Sequence, residues 1–433
     1  MPEIGQNKVI SPNEHCLVTM PSGSLRIVQL KPGGTINLGK FGHFLVDGTF
    51  GYAYGQAFEI VADKKVSPIK DLLVDLEDSN DGTPIPEVKS SANNKDLTDI
   101  GQKIQKLTTQ DIENMKKEGE GNQVARQIIE KMIQSHEAFE KKTVFSQEKY
   151  LTRKQKKFAR RFQIDRLSSS ALLNYYYHEK DPQRVLDLSE ETLGSMMSHA
   201  NIMPGGNYLV LDETGGLLVY ALLERMQGQG SIIWLHENDQ PNTWILKQSG
   251  YTDAELDRLL RPISFLEFFE PDEDTGKVFK FTDKEVEEMP PQRRNMYAKR
   301  LARAEKLRQT LEMVANQDLD AVVSVSTLNP ATLIPRVLEA LSGSRPVVAY
   351  HQYKEMLIEL DHVLQKDKRV IMTNISETKV RRYQTVPGKL HPLMTSRAGG
   401  GYVFHGLRVL PAEGVQAVGR GKKRKSGDES AAS

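Results

Sequence analysis

Residues 209–216 read Leu-Val-Leu-Asp-Glu-Thr-Gly-Gly, an apolar run that ends in an acid and then in glycine. That order is how an α/β fold enters a nucleotide-binding turn. A buried strand delivers the acid to its carboxyl end, and glycines follow because only a residue without a β-carbon lets the backbone approach a ligand closely. The turn is incomplete. With Asp212 as the acid of an acid-x-Gly-x-Gly-x-Gly register, the glycine positions fall on Thr214, Gly216 and Leu218, so one glycine survives and a branched leucine takes the last place. Such a segment predicts that the sheet is kept, and that either the cofactor is lost or the register is another one.

The surrounding text alternates helical and strand patterns, as a parallel α/β sheet does. It predicts strands at 208–212, 231–236, 321–324, 346–350, 370–375 and 401–409, with helices at 217–226 and 331–341. Glu237 follows the second strand, where a carboxylate would accept both ribose hydroxyls; without the upstream glycines it reads as a solvated loop acid. The segment Ser324-Val325-Ser326-Thr327-Leu328-Asn329-Pro330 follows the third strand, where amino methyltransferases carry catalytic polar residues. It offers no Asp as a base, and Asn329-Pro330 reads as a helix cap and first turn. The single Cys16 excludes an internal disulfide and a cysteine-based zinc site, and the ten histidines lack metal-ligand spacing. Neither a phosphate-binding Gly-Lys-Ser/Thr loop nor a Gly-x-Ser-x-Gly elbow occurs. No apolar run of about 18 residues exists and the first residues lack a secretory core, so a soluble protein without a membrane partner is expected, in a reducing intracellular compartment.

Before the α/β unit, short apolar runs between 16 and 61 are divided by Pro21-Ser22-Gly23, Lys31-Pro32-Gly33-Gly34 and Asp47-Gly48. This predicts an antiparallel meander closing into a small barrel. Residues 75–95 form a polar linker, Thr108 or Thr109 offers a helix cap, and 124–139 shows helical spacing. Within the α/β unit, 265–315 is a charged insertion with an acidic loop near 271–274. Its helix carries Tyr297, Leu301, Ala304, Leu307, Leu311 and Val314 on one face, which could pack on its own domain or on a partner.

A net charge of +1 means that any nucleic-acid contact must come from local clusters. Residues 149–161, KYLTRKQKKFARR, hold seven Lys or Arg without an acid, interleaved with Tyr150 and Phe158. Clustered bases neutralise phosphates and aromatic rings can stack on bases, so the run suits RNA; a solvated helix is the plainer alternative. Residues 420–425, RGKKRK, read as a nuclear import signal in a polar tail.

Four segments together resemble one family: SQEKYLTRKQKKFARRF at 146–162, EKDPQRVLDLSEETLGSMMSHANIMPGGNYLVLDETGGLLVYALLERM at 179–226, RRYQTVPGKLHPLM at 381–394 and GGGYVFHGLRV at 399–409. The family is that of the non-catalytic, RNA-binding subunit of the eukaryotic tRNA adenosine-N1 methyltransferase. The resemblance implies a fold that is α/β plus β. Residues 1–75 would be an N-terminal β-barrel, 76–166 a linker with helices and the basic segment, 167–415 a Rossmann-like methyltransferase domain with a degenerate cofactor site, and 416–433 a basic tail. It implies no catalytic residue and no metal, with S-adenosylmethionine bound by a catalytic paralogue. Two heterodimers would form a heterotetramer in the nucleus, needed for 1-methyladenosine in the tRNA T-loop.

Carried over, the family's RNA-contact regions fall on Arg153, Lys154, Lys156, Lys157, Arg160 and Arg161, and on Arg381 and Arg382. Arg381 stands out because guanidinium groups bind phosphate bidentately and its motif otherwise serves packing; the competing reading is an internal salt bridge. The glycines at 399–401 read as a strand entry or hairpin turn near the subunit interface. Two other functions fit the residues: an active methyltransferase with a divergent turn, and a translation or chromatin scaffold that uses the fold for protein contacts.

Overall fold

Alternation of apolar and polar residues builds the first sheet, which is described in a computed structural model covering residues 9–20, 22–61, 64–69, 115, 121–135, 144–158, 160–271, 277–381, 383–386, 389–394 and 400–410. Strands β1 (His15–Thr19) and β2 (Leu25–Gln29) form a hairpin, followed by β3 (Thr35–Asn37), β4 (His43–Leu45), β5 (Ala57–Ile60) and β6 (Val66–Pro68). After helices α1 (Gly121–Gln134) and α2 (Val144–Phe158) the chain returns as β7 (Arg161–Arg166), which lies between β1 and β5 in the order β2-β1-β7-β5-β6. Residues 161–166, expected in the linker, thus stand at the centre of the N-terminal sheet. Phe162 and Ile164 face its core, with Phe162 stacked on Phe44 at 4.2 Å between ring centroids.

Closure into the expected barrel is not seen among the described residues. Among the described residues β2 and β6 remain edges, and β3 pairs only with β4 in a separate two-stranded ribbon. Closure needs every strand to have two neighbours, with tilt and stagger that three-residue strands cannot span. The ribbon instead covers one face of an open sheet through Ile36 and Phe44.

The second unit contains α3 (Ser169–Glu179), α4 (Glu190–His199), β8 (Asn207–Asp212), α5 (Leu217–Met226), β9 (Ser231–His236), α6 (Asp253–Leu259), β10 (Leu260–Ser264), α7 (Phe265–Phe269), α8 (Asp283–Glu288) and α9 (Pro291–Ala315). It continues with β11 (Ala321–Val325), α10 (Pro330–Val337), β12 (Pro346–His351), α11 (Lys354–Asp367), β13 (Val370–Glu377), β14 (Tyr383–Val386), β15 (Lys389–Pro392) and β16 (Tyr402–Arg408). The sheet order is β10-β9-β8-β11-β12-β16-β13, parallel from β10 to β12, with β16 antiparallel to both neighbours. Consecutive residues of β8 feed opposite cores: Tyr208 and Val210 face one layer, Leu209 and Leu211 the other. Two-sided burial explains why such strands read as unbroken apolar runs.

The two units meet directly: Leu17 joins the core that holds Leu172 and Leu173, and the Tyr220 hydroxyl donates to the Leu167 carbonyl at 2.7 Å. Helix α10 ends at Val337, earlier than expected, and continues as a short 3-10 turn over Leu338–Ala340. Pro335 inside it lacks an amide donor. The apolar stripe of α9 packs on its own domain in its second half, where Leu307 is buried and Leu311 and Val314 are partly covered. No helix among the described residues is long and apolar enough to cross a membrane. The linker 75–95, the Thr108 and Thr109 cap, the loop at 272–274 and the run 420–425 lie outside the described residues.

Candidate functional site: a filled turn and a basic surface

Asp212 ends β8 at the carboxyl edge of the sheet, where α/β folds place ligands. It is already engaged. Its carboxylate accepts the Thr214 amide at 2.6 Å, the Thr214 hydroxyl at 2.5 Å and the Val219 amide at 3.0 Å, while the Thr214 hydroxyl oxygen accepts the Leu218 amide at 3.3 Å. Acid and threonine thereby satisfy amides that open α5, donors that an anionic ligand could otherwise take. Burial pushes the Asp212 carboxyl pKa up, opposed by the hydrogen bonds from Thr214, Val219 and Leu218.

The two glycines of the turn are used for chain packing. Gly215 and Gly216 have φ of +75° and +91°, the left-handed region that glycine tolerates. A β-carbon at Gly215 would collide with the indole Nε1 of Trp244, and one at Gly216 would stand 2.9 Å from Leu246 Cγ. The Ile245 amide donates to the Gly215 carbonyl at 3.0 Å, so the chain after β9 is clamped onto the turn. Trp244 is held in place by an edge contact with Tyr176, 4.8 Å between centroids.

Leu218 is wholly buried in the core rather than standing in ligand space; Trp244 and Leu246 do the crowding. Three hydrogen bonds from the chain itself occupy the acid and Trp244 and Leu246 cover the glycine face, an arrangement that fits S-adenosylmethionine poorly.

The other polar groups at this edge are structural or solvated. Glu213 accepts the Thr327 amide at 3.0 Å and hydroxyl at 2.7 Å, which ties β8 to the chain after β11. Asn329 caps α10 by accepting the Ala331 amide at 2.8 Å, with Pro330 in the first turn, as its sequence implies. Glu237 is exposed and has no hydrogen-bond partner among the described residues. A cleft of about 290 Å³ remains between Asp212, Glu213, Glu237, Asn238 and Ser326.

The basic run divides between two elements. In α2, Phe158 turns inward to Ile128 and Met132 of α1, leaving Arg153 and Lys157 exposed one turn apart. Lys154 Nζ lies 5.0 Å from the centre of the Tyr150 ring. Arg160 and Arg161 are half-buried where the helix gives way to β7. The side chain of Lys156 and the whole of Arg382 lie outside the described residues.

Arg381, between β13 and β14, is exposed and has no ion-pair or hydrogen-bond partner among the described residues. Part of the motif it opens is exposed. It forms a surface hairpin on which Tyr383 is 56 % and Leu390 74 % exposed. Gly400 and Gly401 enter β16, a strand entry as the sequence suggests. A further set escaped the sequence reading: Arg293, Lys299 and Arg300, on the exposed part of α9, lie in an acid-free stretch from 289 to 304. That stretch was the available signal.

The model of the Gcd10p family matches residues 9–292. A relative from Debaryomyces hansenii, named tRNA (adenine(58)-N(1))-methyltransferase non-catalytic subunit TRM6, is 47 % identical over 424 residues, covering 95 % of this chain and 89 % of its own. The protein of the same name from Eremothecium gossypii is 41 % identical, with 93 % of each chain covered. Among solved structures, a SAM-dependent O-methyltransferase from Thermotoga maritima aligns with a TM-score of 0.48 at 10 % identity, covering 95 % of this chain and 98 % of that one. The chain belongs to the Gcd10p family.

Proposed function

We propose that this chain is the non-catalytic, tRNA-binding subunit of a tRNA adenine-N1 methyltransferase, needed by a catalytic partner to form 1-methyladenosine in the T-loop. The observation that carries this reading is the filled turn: Asp212 bound to Thr214 and Val219, with Trp244 against Gly215. A Rossmann core can outlive its ligand site because its stability lies in the packed layers. The relatives' name, non-catalytic subunit, supports the same assignment.

In this reading S-adenosylmethionine is held by the partner subunit, and the complex is a nuclear heterotetramer of two heterodimers. The exposed apolar hairpin of Tyr383 and Leu390 suits a partner contact, since soluble monomers rarely leave such groups together in water. Arg153, Lys154, Lys157 and Arg381, with Lys156, Arg160, Arg161 and Arg382, supply positive charge for tRNA phosphates.

The test is methyl transfer from S-adenosylmethionine to a tRNA transcript by this chain, by the catalytic subunit and by the two together. Turnover is expected in the mixture. Turnover by this chain alone would overturn the reading.

A further inference from the structure

We infer that the exposed first half of α9 is a second tRNA phosphate-binding surface, presented by Arg293, Lys299 and Arg300; this rests on the tRNA-binding reading above. Length is the first argument. At 1.5 Å per residue the 25 residues of α9 span roughly 37 Å, whereas the five-residue β10 beside it spans about 17 Å. The buried residues of α9, Leu307 and Thr310, lie in its second half. Helix α9 meets Glu267, just after β10, through Arg303 and Asp257, just before β10, through Lys306, so the residues before 303 stand beyond the carboxyl edge of the sheet.

This projecting arm is braced. Phe281 packs edge-on against Tyr297, 5.1 Å between centroids, and its amide donates to the Tyr297 hydroxyl at 3.0 Å. Arg294 donates to the Val286 and Glu287 carbonyls at 3.1 and 2.6 Å, capping α8.

Charge is the second argument. The later half of α9 is compensated from within the chain: Arg308 pairs with Glu305 at 2.7 Å and Glu312 at 3.7 Å, Lys306 with Asp257 at 3.0 Å and Arg303 with Glu267 at 3.6 Å. Arg293, Lys299 and Arg300 are exposed and have no ion-pair partner among the described residues, although Asp283, Glu285, Glu287 and Glu288 lie on the neighbouring α8. Arg293 also sits in the first turn, where the helix dipole disfavours a cation. A charge pattern that weakens its own helix fits an anion supplied from outside.

Place and chemistry select RNA. Strand β13 is parallel to β10, so the chain leading to Arg381 leaves the same carboxyl edge as the arm, six strand spacings away. At about 4.8 Å each, the edge is roughly 29 Å wide, a span that a phosphate backbone can cross. Apart from Met296 the exposed side chains of the arm from 292 to 300 are polar, charged or alanine, whereas the core of a protein interface excludes charge.

The experiment measures binding of a tRNA transcript to the full chain assembled with its catalytic subunit, as a function of salt. Arg293→Gln, Lys299→Gln and Arg300→Gln together are expected to weaken binding about tenfold or more at ~0.1 M salt and to lower the salt slope by about two to three units. Arg293→Lys with Arg300→Lys should keep both values, because phosphate contact needs the charge, and it guards against a folding artefact. Wild-type binding with an unchanged slope in the triple variant would overturn the arm alone and leave an acidic protein as its partner. Failure of the wild-type complex to bind tRNA would overturn the tRNA-binding reading and the arm with it.

Discussion

Asp212 shows how a single residue can keep its place and change its work. In an active turn the acid serves a ligand, whereas here its oxygens hold Thr214 and the amide of Val219. Asp212→Ala strands those buried donors and is expected to cost about 2–4 kcal/mol of stability. Denaturant midpoints check this, and a small stability loss accompanied by a changed cofactor affinity would restore Asp212 to a ligand-binding role.

His405 carries a second residue-scale consequence. Its ring stacks on His199 at 3.8 Å, its Nδ1 is buried without a partner, and burial together with the neighbouring imidazole holds its pKa below the ordinary 6.5. The folded chain refuses a proton that the unfolded chain accepts. The pair therefore adds stability above about pH 6.5 that is lost as pH falls below it. Melting curves at pH 7.5 and 5.5 should show a smaller acid loss for His405→Phe than for wild type; equal losses would contradict the assignment.

At the scale of elements, α2 joins stability to binding in opposite senses. Arg153 and Lys157 stand one turn apart, a like-charge pair that costs an isolated helix about 0.2–0.5 kcal/mol. Arg153→Gln with Lys157→Gln should leave stability level or slightly raised and lower the salt slope of tRNA binding by about two units. An unchanged slope would make α2 a merely solvated helix.

The same stretch shows why elements were only partly legible. Phe162 and Ile164 alternate with Arg161, Gln163 and Asp165 as a strand should, yet the adjoining charge run drew 161–166 into the linker. The strands of the N-terminal sheet were visible, whereas their failure to close was not, because closure depends on pairings between distant segments. In α9 the stripe was legible and the packing of Leu307 was settled by its neighbours.

For the molecule as a whole, sequence revealed a parallel sheet and a damaged ligand turn, since both are local patterns of β8 and the residues after it. It could not reveal what fills the turn. Trp244 and Leu246 lie about thirty residues beyond Gly215 and Gly216 and reach them through the chain that follows β9. The exposed hairpin was hidden for a related reason: Tyr383 and Leu390 belong to a motif read as serving packing, and only the fold puts them outside.

The described residues form a five-stranded antiparallel sheet joined to a seven-stranded, mostly parallel α/β core. Exposed cations occur on α2, on α9 and at Arg381, and the turn after β8 is covered by its own chain.

Equilibrium dialysis with labelled S-adenosylmethionine tests that closure most directly, using this chain alone and assembled with its catalytic subunit. The structure predicts no binding to the chain alone and one site per catalytic subunit in the complex. Stoichiometric binding to the chain alone would mean that Trp244 yields to the ligand and that the turn is not closed.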